Sequence, residues 1–173
     1  MKKQGISENL VNQAYLAIGS NLGNKISNIE ITKFELEKYK IKILKSSSNY
    51  ISESWPDNSM PSYINIIIQI KTRLTPIELL NVCNLIELKM GRIRKEKNSP
   101  RTCDIDIIDY EGRILSIHGG KLILPHPQMQ KRSFVLLPLF EVNKSWKHPK
   151  YKINIEKLIS SLPIKDLRSI KQI

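Results

Sequence analysis

Two aspartates separated by a single residue, Asp104 and Asp106, are the sharpest chemical feature of this sequence. They lie in a segment, 102–110, whose composition predicts a β-strand. Residues two apart in a strand project from one face, so the carboxylates are expected to stand about 6.6 to 6.8 Å apart at Cα. Such an oxygen pair needs a cation between its charges and favours Mg²⁺ that arrives with a polyphosphate. The alternative is an exposed acidic strand face that Asp109 continues, and the two aspartates alone favour that alternative.

Three arginines near the aspartates shift that judgement. Arg101 precedes the pair by three residues, and Arg92 and Arg94 follow the end of a predicted helix at Gly91. A guanidinium group is permanently charged and binds phosphate oxygens in a bidentate manner. Cations at a helix end also complement the helix dipole, which explains either Arg92 or Arg94 alone. The helix dipole alone does not explain why three arginines lie close in sequence to two aspartates.

Two further segments carry weaker signals. His126 lies between Pro125 and Pro127, where a stiff backbone suits a phosphate-binding side chain, although a lone histidine is more often structural. The segment 19–25, G-S-N-L-G-N-K, follows a strand and opens a helix but lacks the spacing of a P-loop. It is therefore interpreted as a tight turn followed by a helix start.

The elements that must position these residues alternate along the chain. The sequence predicts strands over 13–18, 41–52, 63–72 and 102–110, a hairpin return over 113–117, and helices over 25–40, 76–90, 134–142 and about 155–162. Strand, helix, two strands, helix and strand is the order of a ferredoxin-like α+β unit, in which helices pack on an antiparallel sheet. No repeat or linker divides the chain, so residues 1–173 are expected to form a single domain.

The strand over 63–72 also predicts how its side chains divide between two faces. Its alternating isoleucines share one face, so Tyr63, Asn65 and Gln69 share the other. A row of isoleucines is typical of a buried surface. The polar and aromatic side chains are therefore candidates for a site on the opposite face.

Both long helices are predicted to pack on the sheet through apolar stripes. The stripe of the helix over 25–40 comprises Leu22, Ile26, Ile29 and Leu36, widened by Phe34. The helix over 76–90 begins at a capping box, Thr75 to Glu78. A second stripe beside its core stripe comprises Leu80, Asn84 and Glu87. A polar pair in that stripe could face a site.

The charge of the chain indicates an attraction to polyanions. With 28 Lys and Arg against 16 Asp and Glu, the net charge is +12, which fits nucleic acid, an anionic membrane surface or a multiply phosphorylated small molecule. Most of the excess is lysine spread over the chain, which is typical of a solvated surface. No segment has the roughly 20 apolar residues of a membrane span, no export signal is visible, and Cys83 and Cys103 form no metal or disulfide motif. We therefore expect a soluble cytoplasmic protein.

Five segments taken together resemble one family, 6-hydroxymethyl-7,8-dihydropterin pyrophosphokinase. They are A-Y-L-A-I-G-S-N-L-G at 14–23, Y-I-N at 63–65, I-E-L-K-M-G-R-I-R at 86–94, P-R-T-C-D-I-D-I at 100–107 and L-P-H-P-Q-M-Q-K-R-S-F-V-L-L-P-L at 124–139. The similarity runs in order from about residue 14 to 141. Its most specific parts are P-R-T-x-D-x-D and the downstream P-H-x-x-M-x-x-R-x-F.

The resemblance implies transfer of diphosphate from ATP to the hydroxyl of a hydroxymethyl-dihydropterin in folate synthesis. Two Mg²⁺ ions would be bound by Asp104 and Asp106. The implied catalytic residues are Arg92, Arg94, Asp104 and Asp106. The implied ATP contacts are Leu80, Asn84, Arg92, Arg101, Ile107, His126 and Arg132. The implied pterin contacts are Tyr63, Asn65, Trp55 and Phe134. Glu87 is implied to support residues that contact the ligands and not to contact a ligand itself. The partners would be the two small molecules, without nucleic acid or membrane, and the protein is expected to be a monomer.

The sequence departs from the family at the loop after the second strand. The family commonly has T-P-P-x-G there, whereas this chain has S-E-S-W-P at 52–56. Trp55 would then replace the apolar residue that covers the pterin. The segment 95–99 lacks a tryptophan seen in some relatives, and Asn84 replaces a usual glutamine. Altered nucleotide selectivity would follow from these differences.

The implied reaction is attack of the pterin hydroxyl on the β-phosphorus of ATP, with AMP leaving. The sequence shows no evident general base, and Asp106 beside a metal-bound hydroxyl is the hypothesis for the proton acceptor. Two rival functions remain. One is a basic RNA-binding module on a ferredoxin-like sheet, for which the sequence lacks the aromatic RNP motif. The other is a family member whose activity is lost or whose acceptor is changed through the loop over 52–56.

Overall fold

The computed structural model describes residues 10–54, 59–92 and 99–173. Its first part has the predicted order of elements: β1 (Asn12–Ser20), α1 (Lys25–Lys38), β2 (Lys42–Ser46), β3 (Tyr50–Ser52), β4 (Tyr63–Thr72), α2 (Pro76–Lys89) and β5 (Asp104–Tyr110). After these come β6 (Leu115–Ile117), β7 (Leu122–Leu124), α3 (Ser133–Val142), α4 (Ile155–Ser160), α5 (Ile164–Arg168) and β8 (Ile170–Gln172), with 3₁₀ turns at His118–Gly120 and Met129–Lys131.

The main sheet has six antiparallel strands. Its order is β5-β1-β4-β3-β8, and β2 also pairs with β4. The strand expected over 41–52 is therefore split into β2 and β3, which together occupy one position beside β4. With that position counted once, the order of the first four is that of a ferredoxin-like sheet, which β8 extends. The predicted ferredoxin-like α+β fold is confirmed.

The helix that leads to Arg92 is fixed at both ends by local chemistry. At its start the Glu78 carboxylate accepts the Thr75 N–H at 2.7 Å, and the Thr75 hydroxyl accepts the Glu78 N–H at 3.4 Å. These two bonds form the predicted capping box. Past its end Gly91 has a φ of +83°, a left-handed conformation that glycine adopts without strain. The backbone turns there, immediately before Arg92.

Each face of the sheet packs on its own helices. One face, which includes Ile18, Ile66 and Ile105, forms a core with α1 and α2. The other face, which includes Ile67 and Ile108, forms a core with α3 and α4. The pocket described below lies on this second face, where α3 begins.

The predicted stripe of α1 is partly wrong. Leu22, Ile26 and Phe34 are 46%, 46% and 60% exposed, whereas Thr32 and Glu35 are buried in the helix layer. These polar side chains have partners on other elements, which their own helix does not reveal. The Thr32 hydroxyl contacts the Cys103 thiol at 3.2 Å, and the Glu35 carboxylate accepts from Lys89 on α2 at 2.6 Å.

The second half of the chain differs from the prediction in two respects. Residues 113–117 do not return along β5, since β6 pairs with β7 instead. The sequence also gave no indication of α5 or of β8, which pairs with β3 at the sheet edge. No helix within the described ranges is long and apolar enough to cross a membrane.

Candidate functional site

The two aspartates share a face of the sheet with Asn65 because their strands pair in register. Gly19 on β1 is the cross-strand partner of both Asn65 on β4 and Asp104 on β5. Ala17, two residues earlier on β1, is opposite Asp106. Cross-strand partners point to the same face of a sheet. The predicted convergence of the carboxylates therefore occurs beside Asn65.

A pocket of about 110 Å³ opens over this face. Its floor is formed by β1, β4 and β5, and its walls by the end of β3, the segment before β5 and the start of α3. The pocket brings together seven of the predicted site residues: Tyr63, Asn65, Arg101, Asp104, Asp106, Arg132 and Phe134.

Asp104 lies between two guanidinium groups. Its Oδ1 is 2.8 Å from Arg92 Nη1 and 3.5 Å from Arg101 Nη1. Arg101 Nε also donates to the Tyr63 hydroxyl at 3.0 Å. Arg101 therefore connects the acidic centre of the pocket to the aromatic side chain on β4.

Glu87 pairs with Arg92 and so helps to position it at this site. Its carboxylate pairs with Arg92 Nη1 and accepts the Ile105 N–H of β5 at 2.8 Å. The side chain is only 4% exposed, and this burial raises the pKa of Glu87. Glu87 thereby links the end of α2, Arg92 and the backbone between the two aspartates.

Asp106 faces Arg132 and His126. Its Oδ2 is 3.5 Å from Arg132 Nη1 and 3.8 Å from His126 Nε2. Burial in the pocket floor and then the charge of Asp104 raise the pKa of Asp106 to about 6, although 38% of its side-chain surface is accessible. Burial and then Arg132 lower the pKa of His126 to about 4, so its imidazole is neutral at pH 7. Because His126 Nδ1 accepts the Gln128 N–H at 3.2 Å, the imidazole hydrogen is on Nε2.

The donor set fits Mg²⁺ that is carried by a polyphosphate. Within the described residues, no group of three or more His, Cys, Asp or Glu side chains could hold a metal ion. Mg²⁺ commonly binds through one or two carboxylates and takes its other ligands from water and substrate phosphates. Asp104 and Asp106 meet that description. The arginines around them are suited to bind phosphate oxygens.

The other end of the pocket suits a flat heterocycle. β4 contributes Tyr63 and Asn65, and Phe134 projects from the first turn of α3. Asn65 is 8% exposed, and its Nδ2 donates to Ser52 Oγ at 2.8 Å. Aromatic walls with one placed amide are typical of a pocket for a planar ring with polar edges.

Five predicted ATP contacts do not line this pocket. Arg92 and His126 approach its aspartates from outside the lining, and the other three are Leu80, Asn84 and Ile107. Asn84 lines a separate concavity on α2, together with Glu87 and Arg92. Leu80 packs against the core of the helix layer, and Ile107 is 4% exposed within that core. Asn84 shares that concavity with Arg92, which pairs with Asp104, whereas Leu80 and Ile107 belong to the helix-covered face of the sheet. Their contacts with ATP stay predictions.

Two predicted site residues, Trp55 and Arg94, lie outside the described residues. Trp55 was assigned to the pterin and Arg94 to catalysis by the resemblance alone. Both assignments stay predictions.

Two of the pocket residues that the sequence interpretation missed, Gly19 and Ser52, lie beside Asn65. Gly19 was assigned to a turn, but it is the penultimate residue of β1 and lies in the pocket floor between Asn65 and Asp104. Ser52 was assigned to the divergent loop, but it is the last residue of β3 and is hydrogen-bonded to Asn65. The signal that the sequence offered for these two residues was a glycine and a serine near the ends of strands. Their roles depend on pairing between distant strands.

Comparison with known proteins identifies the family of this chain. The profile of the family described as 7,8-dihydro-6-hydroxymethylpterin-pyrophosphokinase (HPPK) matches residues 15–144. The 2-amino-4-hydroxy-6-hydroxymethyldihydropteridine pyrophosphokinase of Synechocystis sp. is 38% identical over 150 residues, which are 86% of this chain and 75% of that protein. The enzyme of the same name from Methylorubrum extorquens is 37% identical over 131 residues, 75% of this chain and 82% of that protein. The chain belongs to the HPPK family.

Other relatives are much longer than this chain. The folic acid synthesis protein fol1 of Schizosaccharomyces pombe is 35% identical over 156 residues, which are 90% of this chain but 21% of that protein. The chain thus spans about a fifth of that relative. Among solved structures, wild-type Plasmodium falciparum HPPK-DHPS with pterin and p-hydroxybenzoate superposes with a TM-score of 0.72 at 15% identity, covering 96% of this chain and 47% of that one. This similarity shows the shared fold.

Proposed function

We propose that the protein transfers diphosphate from ATP to 6-hydroxymethyl-7,8-dihydropterin in a Mg²⁺-dependent reaction, giving AMP and the pterin diphosphate. The observation that carries the proposal is the arrangement of Asp104 and Asp106 on one sheet face. Arginine nitrogens lie 2.8 to 3.5 Å from their carboxylates, beside an aromatic pocket. The names of the bacterial relatives support the same pterin substrate.

The acidic centre would hold the ATP triphosphate. Asp104 and Asp106 would bind Mg²⁺, which would neutralise the phosphates and draw electrons from the β-phosphorus. Arg92, Arg101 and Arg132 would exchange their carboxylate partners for phosphate oxygens and stabilise the charge of the transition state. His126 would donate its Nε2–H to a phosphate while remaining neutral at pH 7.

The aromatic end would orient the acceptor. With the ring between Tyr63 and Phe134 and its edge on Asn65, the hydroxymethyl group is directed towards the aspartates. Its oxygen forms a bond to the β-phosphorus, the bond from that phosphorus to the α,β-bridging oxygen breaks, and AMP leaves. The hydroxyl proton passes to Asp106. The remaining work of the protein is positioning.

The proposal is tested by incubating the protein with ATP, Mg²⁺ and the pterin and resolving AMP from ADP. The proposed reaction forms AMP and the pterin diphosphate in equal amounts, and removal of Mg²⁺ with a chelator abolishes both. Formation of ADP would indicate a simple phosphotransferase. Binding of ATP without any AMP would indicate a different acceptor and contradict the proposal. We further propose that the protein acts as a monomer.

A further inference from the structure

We infer that Gly19 and Ser52 fix the orientation of the Asn65 side-chain amide and thereby select an acceptor ring that presents hydrogen-bond donors to it. The inference rests on the proposed function, since it assigns ring selectivity to the same pocket. Gly19 and Ser52 are positioning residues here, because they act on the acceptor through Asn65.

The first step concerns the nitrogen of the Asn65 amide. Asn65 Nδ2 donates to Ser52 Oγ at 2.8 Å, and the two side chains are 8% and 5% exposed. The position of Ser52 is set by its backbone, because β3 pairs with β4 opposite Tyr63 and with β8 opposite Ile170. A buried polar group that loses its partner pays the full cost of desolvation. The amide nitrogen is therefore held on the Ser52 side.

The second step concerns the oxygen of the same amide. A Cβ at Gly19 would lie 3.0 Å from Asn65 Oδ1 and 3.4 Å from Tyr63 Cδ1. The Asn65 oxygen thus lies close to the Cα of Gly19, its cross-strand partner, which carries no side chain. Any side chain at position 19 would displace the amide or the Tyr63 ring. Glycine is needed here for space, as is common where another group closely approaches a strand.

Together these contacts determine what the amide offers to a ligand. One of the two N–H groups on its nitrogen is donated to Ser52, and its oxygen lies at the pocket floor over Gly19. An amide oxygen only accepts hydrogen bonds. A ring edge with an amino group and a ring N–H, as in a 2-amino-4-oxo-pterin, is matched to it. The 2-oxo counterpart places a carbonyl oxygen where the amino group was, and two acceptors then oppose each other.

The experiment measures the preference for the 2-amino over the 2-oxo acceptor as a ratio of kcat/KM. The wild type is expected to prefer the 2-amino ring by at least about tenfold, the usual consequence of an unpaired buried polar group. Ser52→Ala is expected to raise the KM of the pterin about tenfold and to reduce the preference, with kcat within about twofold and the KM of ATP unchanged. Ser52→Thr, which retains the hydroxyl, is expected to restore both.

Ser54→Ala is the matched control, since Ser54 is also buried but its hydroxyl donates to the Pro61 carbonyl at 3.0 Å. It is expected to leave the preference unchanged. Gly19→Ala is expected to raise the KM of the pterin by about tenfold or more, again without affecting that of ATP. If Ser52 acts through Asn65, the double variant Ser52→Ala/Asn65→Ala is no worse than Asn65→Ala alone.

Three results would overturn the inference: additive losses in the double variant, an equal effect of Ser54→Ala, or a preference that survives Ser52→Ala. Failure of the proposed function is recognised separately, because the wild type would then form no AMP from the pterin. In that case, equilibrium titration of both rings into each variant, with Mg²⁺ and a non-hydrolysable ATP analogue, reports the same preference. The inference fails if the wild type binds both rings equally.

Discussion

Side chains on both faces of the central sheet are buried, but different interactions stabilise them on each face. On β4, Ile66 and Ile68 are 1% and 0% exposed beneath the helices, and Asn65, which precedes Ile66 and points to the opposite face, is 8% exposed. The isoleucines are stabilised by apolar contact. Asn65 requires a hydrogen-bond partner, which Ser52 supplies. Alternate residues of one strand therefore stabilise the fold on one face and line the pocket on the other, and substitutions on the two faces are expected to have different consequences.

The largest functional effect is expected on the pocket face, from Asp104→Asn. Loss of one of two carboxylates that would bind Mg²⁺ is expected to lower kcat by about 10³-fold or more. The free energy of unfolding is expected to change little, since the loss of the ion pairs of Asp104 with Arg92 and Arg101 is offset by relief of its repulsion from Asp106. Steady-state assays and urea unfolding measure the two quantities. An Asp104→Asn protein within tenfold of the wild-type kcat would contradict the assigned role.

Asp109 provides the control on the same strand. Its Oδ2 accepts the Trp146 Nε1–H at 2.8 Å, and its Oδ1 accepts the Gly112 N–H at 2.9 Å, outside the pocket. Asp109→Asn replaces one of these acceptors with a donor. It is therefore expected to reduce stability while kcat of the folded protein remains close to the wild-type value.

The opposite behaviour is expected on the helix-covered face, from Ile68→Ala. Ile68 pairs with Leu16 on β1 and has no accessible surface. Truncation of a buried isoleucine is expected to lower the free energy of unfolding by about 2 to 5 kcal/mol, measured by urea unfolding. The kcat measured well below the unfolding temperature is expected to stay within about twofold of wild type. A large fall in kcat without loss of stability would show that the two faces are not independent.

An intermediate effect is expected where the two faces meet, at Glu87. Glu87→Gln retains a group that can accept the Ile105 N–H but loses the charge that holds Arg92. It is expected to lower kcat/KM for ATP by about tenfold to a hundredfold, with kcat/KM for the pterin falling in parallel. Arg92→Ala combined with Glu87→Gln is expected to be no worse than Arg92→Ala alone. Additive losses in that double variant would instead indicate a separate role for Glu87.

The sequence predicted those parts of the fold and site that depend on local patterns. Alternation along β4 placed Tyr63 and Asn65 on one face, and the spacing of Asp104 and Asp106 placed both carboxylates on one face of β5. The capping box identified the start of α2. In each case the signal and the structure lie within a few residues of one another.

Features that depend on pairing between distant segments were not predicted. The burial of Thr32 and Glu35 depends on Cys103 and Lys89, which other elements contribute. The role of Gly19 depends on its register with β4 and β5. The partner of β6 was also missed, although β7 is the next strand in the chain, because strands of three residues carry too little alternation to specify a pairing. The candidate site was thus predictable where one strand defines it and hidden where three strands meet.

The smallest effect is expected at His148, which does not line the pocket and is expected to affect only the pH dependence of stability. This histidine is 2% exposed, stacks on Tyr151 and packs edge-on against Trp146. Its Nδ1 accepts the N–H groups of Lys150 and Tyr151 at 3.2 and 3.3 Å. Burial and then the charge of Lys150 lower the pKa of His148 in the folded protein. In the unfolded chain the pKa of this histidine is about 6.5. Below that pH the unfolded chain therefore binds a proton that the folded protein does not yet bind. The stability contributed by neutral His148 is therefore present above that pH and is lost as the pH falls.

His148→Asn tests this dependence, because asparagine offers an oxygen acceptor near Nδ1 but does not titrate in this range. Between pH 7.5 and pH 5, the wild type is expected to lose more unfolding free energy than His148→Asn, as measured by urea unfolding at each pH. Carboxylates titrate in both proteins, so their contributions cancel in the difference. Equal pH slopes would show that His148 is not held neutral by its surroundings. The kcat at pH 7.5 is expected to be the same in both, since this cluster of Trp146, His148 and Tyr151 does not line the pocket.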